Sequence, residues 1–395
     1  MAITDIYGNV IPTGEIVIED YYEEEMADTI AKVRDLNDEP ALVFPVATDI
    51  HRYSSAPQTF DKMIANMTKF AESVKCDFVT SLGDLINGDT TQANSLSYAY
   101  DSMEKFQSIG VPYLNVQGNH DNNPYDSGGG LSGAVFNIQQ VFKAFFTDTK
   151  GVTYNFSELG TDYYIDFDGL GVRVIVLNAC NVKGAKNYAY GSSTGAWLAT
   201  ALDTNHTVLL LVHLSPISSQ VWNNCQSTNT SAIKTALQSF VNNGGHLVQL
   251  SGHTHLDLAF VTPWLSVVHA CTRSASTNTS GSGFNVITGY IDEMGNPSRT
   301  QGTYTEDLWT VCVLKPNSGE LDCIRFGAGN DRYFHYVPIA PTTLTTRLSN
   351  VTWSSSDTSV ATVSDGVVTG VASGTCAILA KDAEGNYEAW TVTVS

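Results

Sequence analysis

Acidic and imidazole side chains follow an apolar run near the start of the sequence. The run ALVFPVAT ends in DIH, which places Asp49 and His51 two residues apart. In an extended chain such residues point to the same side, so the two side chains can act together. Carboxylate and imidazole groups serve together as ligands of borderline metal ions or as partners in proton transfer. The motif therefore predicts a chemical site at the end of a strand.

Further apolar runs end in the same kind of polar cluster. Strand ends in a layered α/β fold converge on one crevice, so these clusters can meet. A mixture of imidazole, carboxylate and amide ligands suits borderline divalent or trivalent metals (Mn, Fe or Zn), and the set is too large for one ion with open positions. We therefore predict two ions that share a carboxylate. The polar residues at these run ends are Asp84, Asn119, His120, Asp121, His213, His253 and His255.

The segments between these motifs indicate how they are positioned. Apolar strand-like runs alternate with helix-like segments at 60–74, 97–109 and 231–243, a pattern typical of sheets covered by helices. We expect residues 1–38 to form an N-terminal arm with an amphipathic helix. Residues 39–336 are expected to form an α/β catalytic domain, a layered β-sandwich flanked by helices.

The C-terminal segment, 337–395, has a different composition. Ser, Thr, Val and Gly dominate it, and short strand-like runs alternate with turns, which predicts a small all-β domain. The pattern of Trp353, SSSD (354–357), Gly366, Gly370 and Gly374 resembles the bacterial Ig-like group 2 domain. Its leading segment LTTRLSN is short for that family, so we expect the first strand to be missing or borrowed. Every catalytic motif precedes the domain, so we expect it to be dispensable for chemistry.

The motifs before this domain resemble those of the calcineurin-like metallophosphoesterase superfamily over residues 40 to 335. They are DIH (49–51), GDLIN (83–87), GNHD (118–121), VHLSP (212–216) and GHTH (252–255), in the order of that family.

The resemblance implies a role for each residue of these motifs. One metal would be held by Asp49, His51 and His255, the other by Asn119, His213 and His253, with Asp84 bridging them. His120 would protonate the leaving group, oriented by Asp121. Asn87 stands where the family has a second acid, with Asp89 two residues further on; this departure concerns the support of the ligands rather than the ligands themselves.

The implied function is hydrolysis of a phosphate ester by a hydroxide that bridges two metals. Nothing in the sequence resembles a basic clamp for a dianionic monoester, which favours a diester, with a phosphomonoesterase as the alternative. A different class also remains open, because Ig-like group 2 domains occur in bacterial surface and phage virion proteins. In that reading the chain is a structural or binding protein that carries this fold.

Charge and composition limit the partners. Lys and Arg number 20 against 40 Asp and Glu, which argues against a nucleic-acid groove and favours a small phosphate-ester substrate. No apolar stretch has the length of a membrane span. The Ig-like domain suggests attachment to a cell surface, glycan or virion, while an N-terminus without signal-peptide features leaves a cytoplasmic location open.

Two cysteines flank the predicted turn PNSG. If Lys315 pairs with Glu320 across this turn, the same register places Cys312 opposite Cys323 and permits a disulfide in an oxidising compartment. Cys376 is expected to be a buried free thiol. The histidines outside the motifs are expected to be core or surface residues; they are His206, His246, His269 and His335.

Overall fold

A computed structural model describes residues 16–52, 57–123, 153–155, 162–179, 189–217, 229–272, 291 and 297–395. Its helices are α1 Glu23–Leu36, α2 Pro57–Ser73, α3 Gln92–Ser108, α4 Thr194–Ala201 and α5 Thr230–Asn242. Within these ranges no helix is both long and apolar enough to cross a membrane. Most of the predicted N-terminal arm lies outside the described residues.

The strands form two large sheets and one hairpin. The first twelve are β1 Leu42–Ala47, β2 Val79–Ser81, β3 Tyr113–Asn115, β4 Thr153–Asn155, β5 Asp162–Phe167, β6 Val172–Leu177, β7 Thr207–Val212, β8 Leu247–Ser251, β9 Leu258–Phe260, β10 Leu265–Val268, β11 Leu308–Lys315 and β12 Glu320–Gly327. The last six are β13 Arg332–Ile339, β14 Thr352–Ser355, β15 Ala361–Ser364, β16 Val367–Gly370, β17 Gly374–Lys381 and β18 Tyr387–Val394.

The larger sheet runs in the order β14-β17-β18-β13-β12-β11-β1-β2-β3, and the smaller one in the order β4-β5-β6-β7-β8-β10-β9. Successive side chains of a strand point to opposite faces. On β1, therefore, Leu42, Phe44 and Val46 face the core between the sheets, while Val43 and Ala47 face the helices. Both faces are apolar, as expected for strands buried on both sides.

Helices cover the outer face of each sheet. Phe70 of α2 packs against Trp309 of β11, with ring centroids 5.8 Å apart. On the smaller sheet, Leu198 of α4 and Leu237 of α5 share a core cluster with Leu210 of β7. The result is a four-layered helix–sheet–sheet–helix arrangement, which confirms the predicted layered sandwich.

Parallel strands bring the motif segments to one end of the sandwich. Strands β1, β2 and β3 run parallel in one sheet, and β6, β7 and β8 in the other. The segments after β1 and β2 are also joined by backbone hydrogen bonds, from Asp49 N to Gly83 O and from His51 N to Asp84 O, each 2.9 Å long. The motifs therefore lie at the carboxyl ends of parallel strands, where α/β folds place their sites.

The Ig-like strands continue the larger sheet. Strand β13 crosses the predicted boundary at residue 337, pairing with β12 on one side and in parallel with β18 on the other. In the second ladder Arg332 lies opposite Tyr387 and Phe334 opposite Ala389. β13 thus supplies the neighbouring strand that the short segment LTTRLSN does not form.

Side chains of the Ig-like strands also extend into the core between the two large sheets. Tyr387 and Leu379 are buried in the core between the sheets, together with Phe334. On the opposite face, Ile378 packs in a separate cluster with Val368 of β16. One face of the Ig-like sheet is therefore part of the central core, so we now predict that removing this domain disturbs the catalytic domain.

The cysteine register is confirmed. Lys315 pairs with Glu320, and Cys312 lies opposite Cys323. The two sulfur atoms are 3.7 Å apart, and both residues are fully buried free thiols. Cys376 is likewise a buried free thiol, as predicted.

Candidate metal centre

One group of ligand atoms converges where β1 and β8 end. His255 Nε2 lies 3.2 Å from Asp49 Oδ1 and 3.2 Å from His51 Nε2. Asp84 Oδ2 lies 3.7 Å from His51 Nε2. The residues predicted to hold the first metal are therefore brought together, with Asp84 beside them.

A second group surrounds His213 at the end of β7. His213 Nε2 lies 3.1 Å from Asn119 Oδ1, 3.2 Å from His253 Nδ1 and 3.3 Å from Asp84 Oδ2. The same Asp84 oxygen thus faces both groups, an arrangement that would allow it to bridge two metals.

The spacing and chemistry of these atoms fit two metal ions. Ligands bound at about 2.0–2.2 Å to one ion lie about 3–3.5 Å from each other, which matches the separations around His255 and His213. Asp49 Oδ1 is buried and, within the described part of the chain, the His255 ring is the one group placed to donate to it. A buried carboxylate oxygen is stabilised by a nearby cation, either a protonated imidazole or a metal, and this donor set suits borderline metals.

Protonation in the centre is shared between its acids and imidazoles. Burial would lower the pKa of His213, but Asp84 raises it to about 9, so this ring must release a proton when it binds a metal. Burial, with the positive charge of His213 as the next cause, lowers the pKa of His253 to about 3, so its ring is neutral. Burial would raise the pKa of Asp84, but His213 and His120 hold it well below its usual range. The centre therefore offers an ionised carboxylate and a neutral imidazole.

Left-handed backbone conformations concentrate in the centre. Among the described residues, nine that are not glycine have positive φ, and five of them belong to the predicted ligands. Such conformations cost about 1–3 kcal/mol each and persist only where the surroundings enforce them. The strained ligands are Asp49, His51, Asp84, His253 and His255.

Two motif glycines allow the loops to approach each other. Gly83 has φ 102°, and a Cβ there would lie 2.5 Å from His213 Nδ1. A Cβ at Gly252 would lie 2.0 Å from Thr48 Oγ1 and 2.6 Å from Asp49 Oδ2. Neither position has room for a side chain, which explains the glycines before Asp84 and His253.

Residues missed by sequence analysis orient the ligands. The Thr48 hydroxyl donates to Asp49 Oδ2 at 2.7 Å, and the backbone N–H of His253 donates to the same oxygen at 2.9 Å. This leaves Asp49 Oδ1 directed into the centre. His213 Nδ1 donates to Leu82 O at 2.7 Å, which turns Nε2 inward. Leu82 acts through its backbone carbonyl and so leaves no sequence signal.

His120 lies at the solvent side of the centre. Its side chain is 23% exposed, and Nε2 lies 3.9 Å from Asp84 Oδ2. Nδ1 donates to the backbone carbonyl of Asn87 at 2.6 Å. This contact holds the ring with Nε2 towards the centre, whatever side chain residue 87 carries.

Asp121 differs from its expected role. We predicted that it orients His120, but its carboxylate accepts hydrogen bonds from the backbone N–H groups of Gly118, Asp84 and Ile86 at 2.7, 3.0 and 3.1 Å. Asp121 therefore ties the GNHD loop to the GDLIN loop, and the His120 ring is held by Asn87 instead.

Comparison with known families gives two matches. The profile described as calcineurin-like phosphoesterase matches residues 43–257. The profile of the bacterial Ig-like domain (group 2) matches residues 337–393.

Solved structures with a similar fold include three of low sequence identity. A dimetal phosphatase from Danio rerio is 12% identical with a TM-score of 0.49, covering 75% of this chain and 99% of that chain. Purple acid phosphatase PPD1 from yellow lupin is 12% identical with a TM-score of 0.48, covering 73% and 52%. GAP50 of Plasmodium, an anchor in the inner membrane complex, is 12% identical with a TM-score of 0.42, covering 72% and 84%. No curated protein matches the sequence.

Proposed function

This chain belongs to the calcineurin-like phosphoesterase family, and we propose that it hydrolyses a phosphodiester at a centre of two metal ions. Family membership makes it a metal-dependent phosphoric ester hydrolase. The observation that carries the two-metal proposal is the single oxygen, Asp84 Oδ2, shared by two groups of ligand atoms. The proposed ligands are Asp49, His51, Asp84, Asn119, His213, His253 and His255.

The chemistry divides between the metals and the protein. When bound, two such ions supply a hydroxide near neutral pH and neutralise the phosphoryl oxygens. Asp84, Asp49 and the imidazoles hold the ions in place. His120, with Nδ1–H donating to Asn87 O, can carry a second proton on Nε2 and deliver it to the departing oxygen.

Two arginines near the centre support a diester. The Arg52 guanidinium pairs with Asp101 and lies over the Phe60 ring, 4.8 Å from its centroid. Arg299 donates to the backbone carbonyls of Cys271, Thr272 and Glu306. Both guanidiniums donate to protein groups, so these two arginines do not form a clamp that would donate to the oxygens of a monoester dianion.

An ester comparison tests the proposal. Protein loaded with Mn, Fe or Zn is assayed on bis(4-nitrophenyl) phosphate and on 4-nitrophenyl phosphate, with chelated protein as the control. We expect kcat/KM for the diester to be higher by at least about tenfold, or ~1.4 kcal/mol, and chelation to abolish both reactions. Higher kcat/KM for the monoester would make the chain a phosphomonoesterase. Two bound metals with no turnover of either ester would favour the structural or binding alternative.

Replacing His120 with alanine should separate its role from metal binding. We expect the variant to keep both metals, and its rate to fall about 10²–10⁴-fold for diesters with poor leaving groups but little for nitrophenyl esters, which need no proton. The measurement is kcat/KM across esters of graded leaving-group pKa. His206→Ala, a histidine bound to Asp203 away from the centre, serves as the control. An equal loss across the series would show that His120 positions the substrate instead.

The Ig-like match supports a role in attachment. We propose that this part of the chain holds the enzyme at a cell surface, a glycan or a virion. Immunolabelling of intact cells and of virions tests the location, and label confined to the cytoplasm would contradict it.

A further inference from the structure

A cluster of buried charges lies behind the metal centre. Asp257 accepts from the Arg325 guanidinium at 2.8 and 2.7 Å through its two oxygens. Arg332 Nη2 lies 3.2 Å from Asp257 Oδ1. All three residues are buried. Buried charges this closely paired are expensive to separate, because the partner left behind remains in a dry environment.

This cluster links the two sheets at the GHTH loop. Asp257 follows that loop and comes just before β9, whereas Arg325 and Arg332 lie on β12 and β13 of the other sheet. Asp257 Oδ1 also accepts from the N–H of Ala270 at 3.0 Å, and Arg332 Nη1 donates to Val268 O at 3.1 Å. The segment that carries the last two predicted ligands is therefore fastened to the opposite sheet.

The GHTH loop needs such a restraint. His253 and His255 have φ values of 69° and 59°, and two strained residues within three positions persist only if both ends of the loop are held. At one end, the His253 N–H donates to Asp49 Oδ2 at 2.9 Å. At the other end, the first side chain anchored in the opposite sheet is Asp257, two residues beyond His255.

We propose that Asp257, Arg325 and Arg332 are positioning residues that fix His255 and thereby the metal it shares with Asp49 and His51. This inference rests on the ligand set of the proposed function. Arg332 is held in turn between β12 and β18, opposite Cys323 and Tyr387. The Ig-like strands therefore contribute to the support of one metal site.

The test measures binding of the two metals separately in the full-length chain. In Asp257→Asn, titration of metal-free protein with Mn²⁺ should show one ion bound about 10–100-fold more weakly, the effect typical of changes behind metal ligands, with the other ion unchanged. The ion that remains bound to Asp257→Asn is identified by its Mn²⁺ electron paramagnetic resonance spectrum. This spectrum should match that of His255→Ala, which lacks a ligand of the same site, and differ from that of His213→Ala.

An ion pair elsewhere gives a matched control. Asp166 pairs with Arg173 through both oxygens at 2.6 and 2.8 Å, between β5 and β6 at the end of β6 remote from the centre. Asp166→Asn should lower the melting temperature without changing either metal affinity. If Asp257→Asn does not fold, Arg325→Lys should show a smaller weakening of the same ion.

Two results would overturn the inference. One is unchanged affinity for both ions in folded Asp257→Asn or, where that variant does not fold, in Arg325→Lys. The other is an equal loss of affinity in Asp166→Asn. A wild-type chain that binds no metal would instead refute the proposed function, so the two failures are distinguishable.

Discussion

Asp84→Asn is expected to remove bound metal and nearly all hydrolysis while leaving the fold intact. Asp84 Oδ1 accepts the backbone N–H of His120 at 2.8 Å, so the amide oxygen of asparagine would keep that place. Its NH₂ group would then replace Oδ2 and direct N–H bonds, instead of a negative charge, at both metal positions. Metals contribute several kcal/mol to such reactions, so the rate should fall by about 10³-fold or more.

Elemental analysis and turnover measure this effect, with Asp89→Asn as the matched control. Asp89 is an exposed residue of the segment that follows the GDLIN motif, and it bonds to the Asn87 side chain. The same chemical change there should leave both metals and at least most of the activity. Two metals still bound to Asp84→Asn would refute its assignment as the bridging ligand.

A chain that ends at Val337 is expected to lose its fold rather than retain turnover. The truncation removes β18, leaves the edge of β13 unpaired, and deletes Tyr387, Leu379 and Ala389 from the core between the sheets. Loss of one large core side chain lowers the free energy of unfolding by about 2–5 kcal/mol. Several such losses exceed the stability of a typical domain, about 5–15 kcal/mol.

Solubility, circular dichroism and turnover of the truncated chain measure the outcome. Single substitutions at two neighbouring residues of β17 show which face of the Ig-like sheet matters. Leu379 faces the core between the sheets, whereas Ile378 faces the separate Ig-like cluster. Leu379→Ala should lower the temperature at which hydrolysis is lost more than Ile378→Ala does. A soluble truncated chain with the activity of the full-length protein would show that the Ig-like strands are dispensable after all.

The sequence predicted which residues meet in the centre because each predicted ligand lies shortly after an apolar strand. Asp49 and His51 after β1, and His213 after β7, could be placed together from the rule that parallel strands share a carboxyl end. The extended chain expected at Asp49 and His51 was wrong, because both residues have positive φ. Left-handed backbone at Asp49 and His51 results from contacts with other loops, which no local pattern encodes.

Long-range partners explain the remaining differences. The role of Asp121 depends on amides that lie in a different loop, and the Asp257 cluster joins residues far apart in the chain. The pairing of β13 with β18 likewise leaves no trace in either segment, because any regular strand can pair with an exposed edge. The sequence indicated only that the first Ig-like strand was missing or borrowed, and it did not identify β13 as the strand that takes its place.

The ladder between β13 and β18 would also determine how the enzyme searches for substrate if the Ig-like part attaches it as proposed. An active site on a flexible tether sweeps a volume whose radius grows with tether length. In the attachment proposed above, the Ig-like strands share a sheet with β1, β2 and β3, which precede Asp49, Asp84 and Asn119, so the mouth of the centre would keep one height and one angle above whatever the Ig-like part binds. Esters fixed to that surface would be reached only where the position of the ester bond matches this height and angle. Freely diffusing esters would be reached wherever the enzyme is anchored.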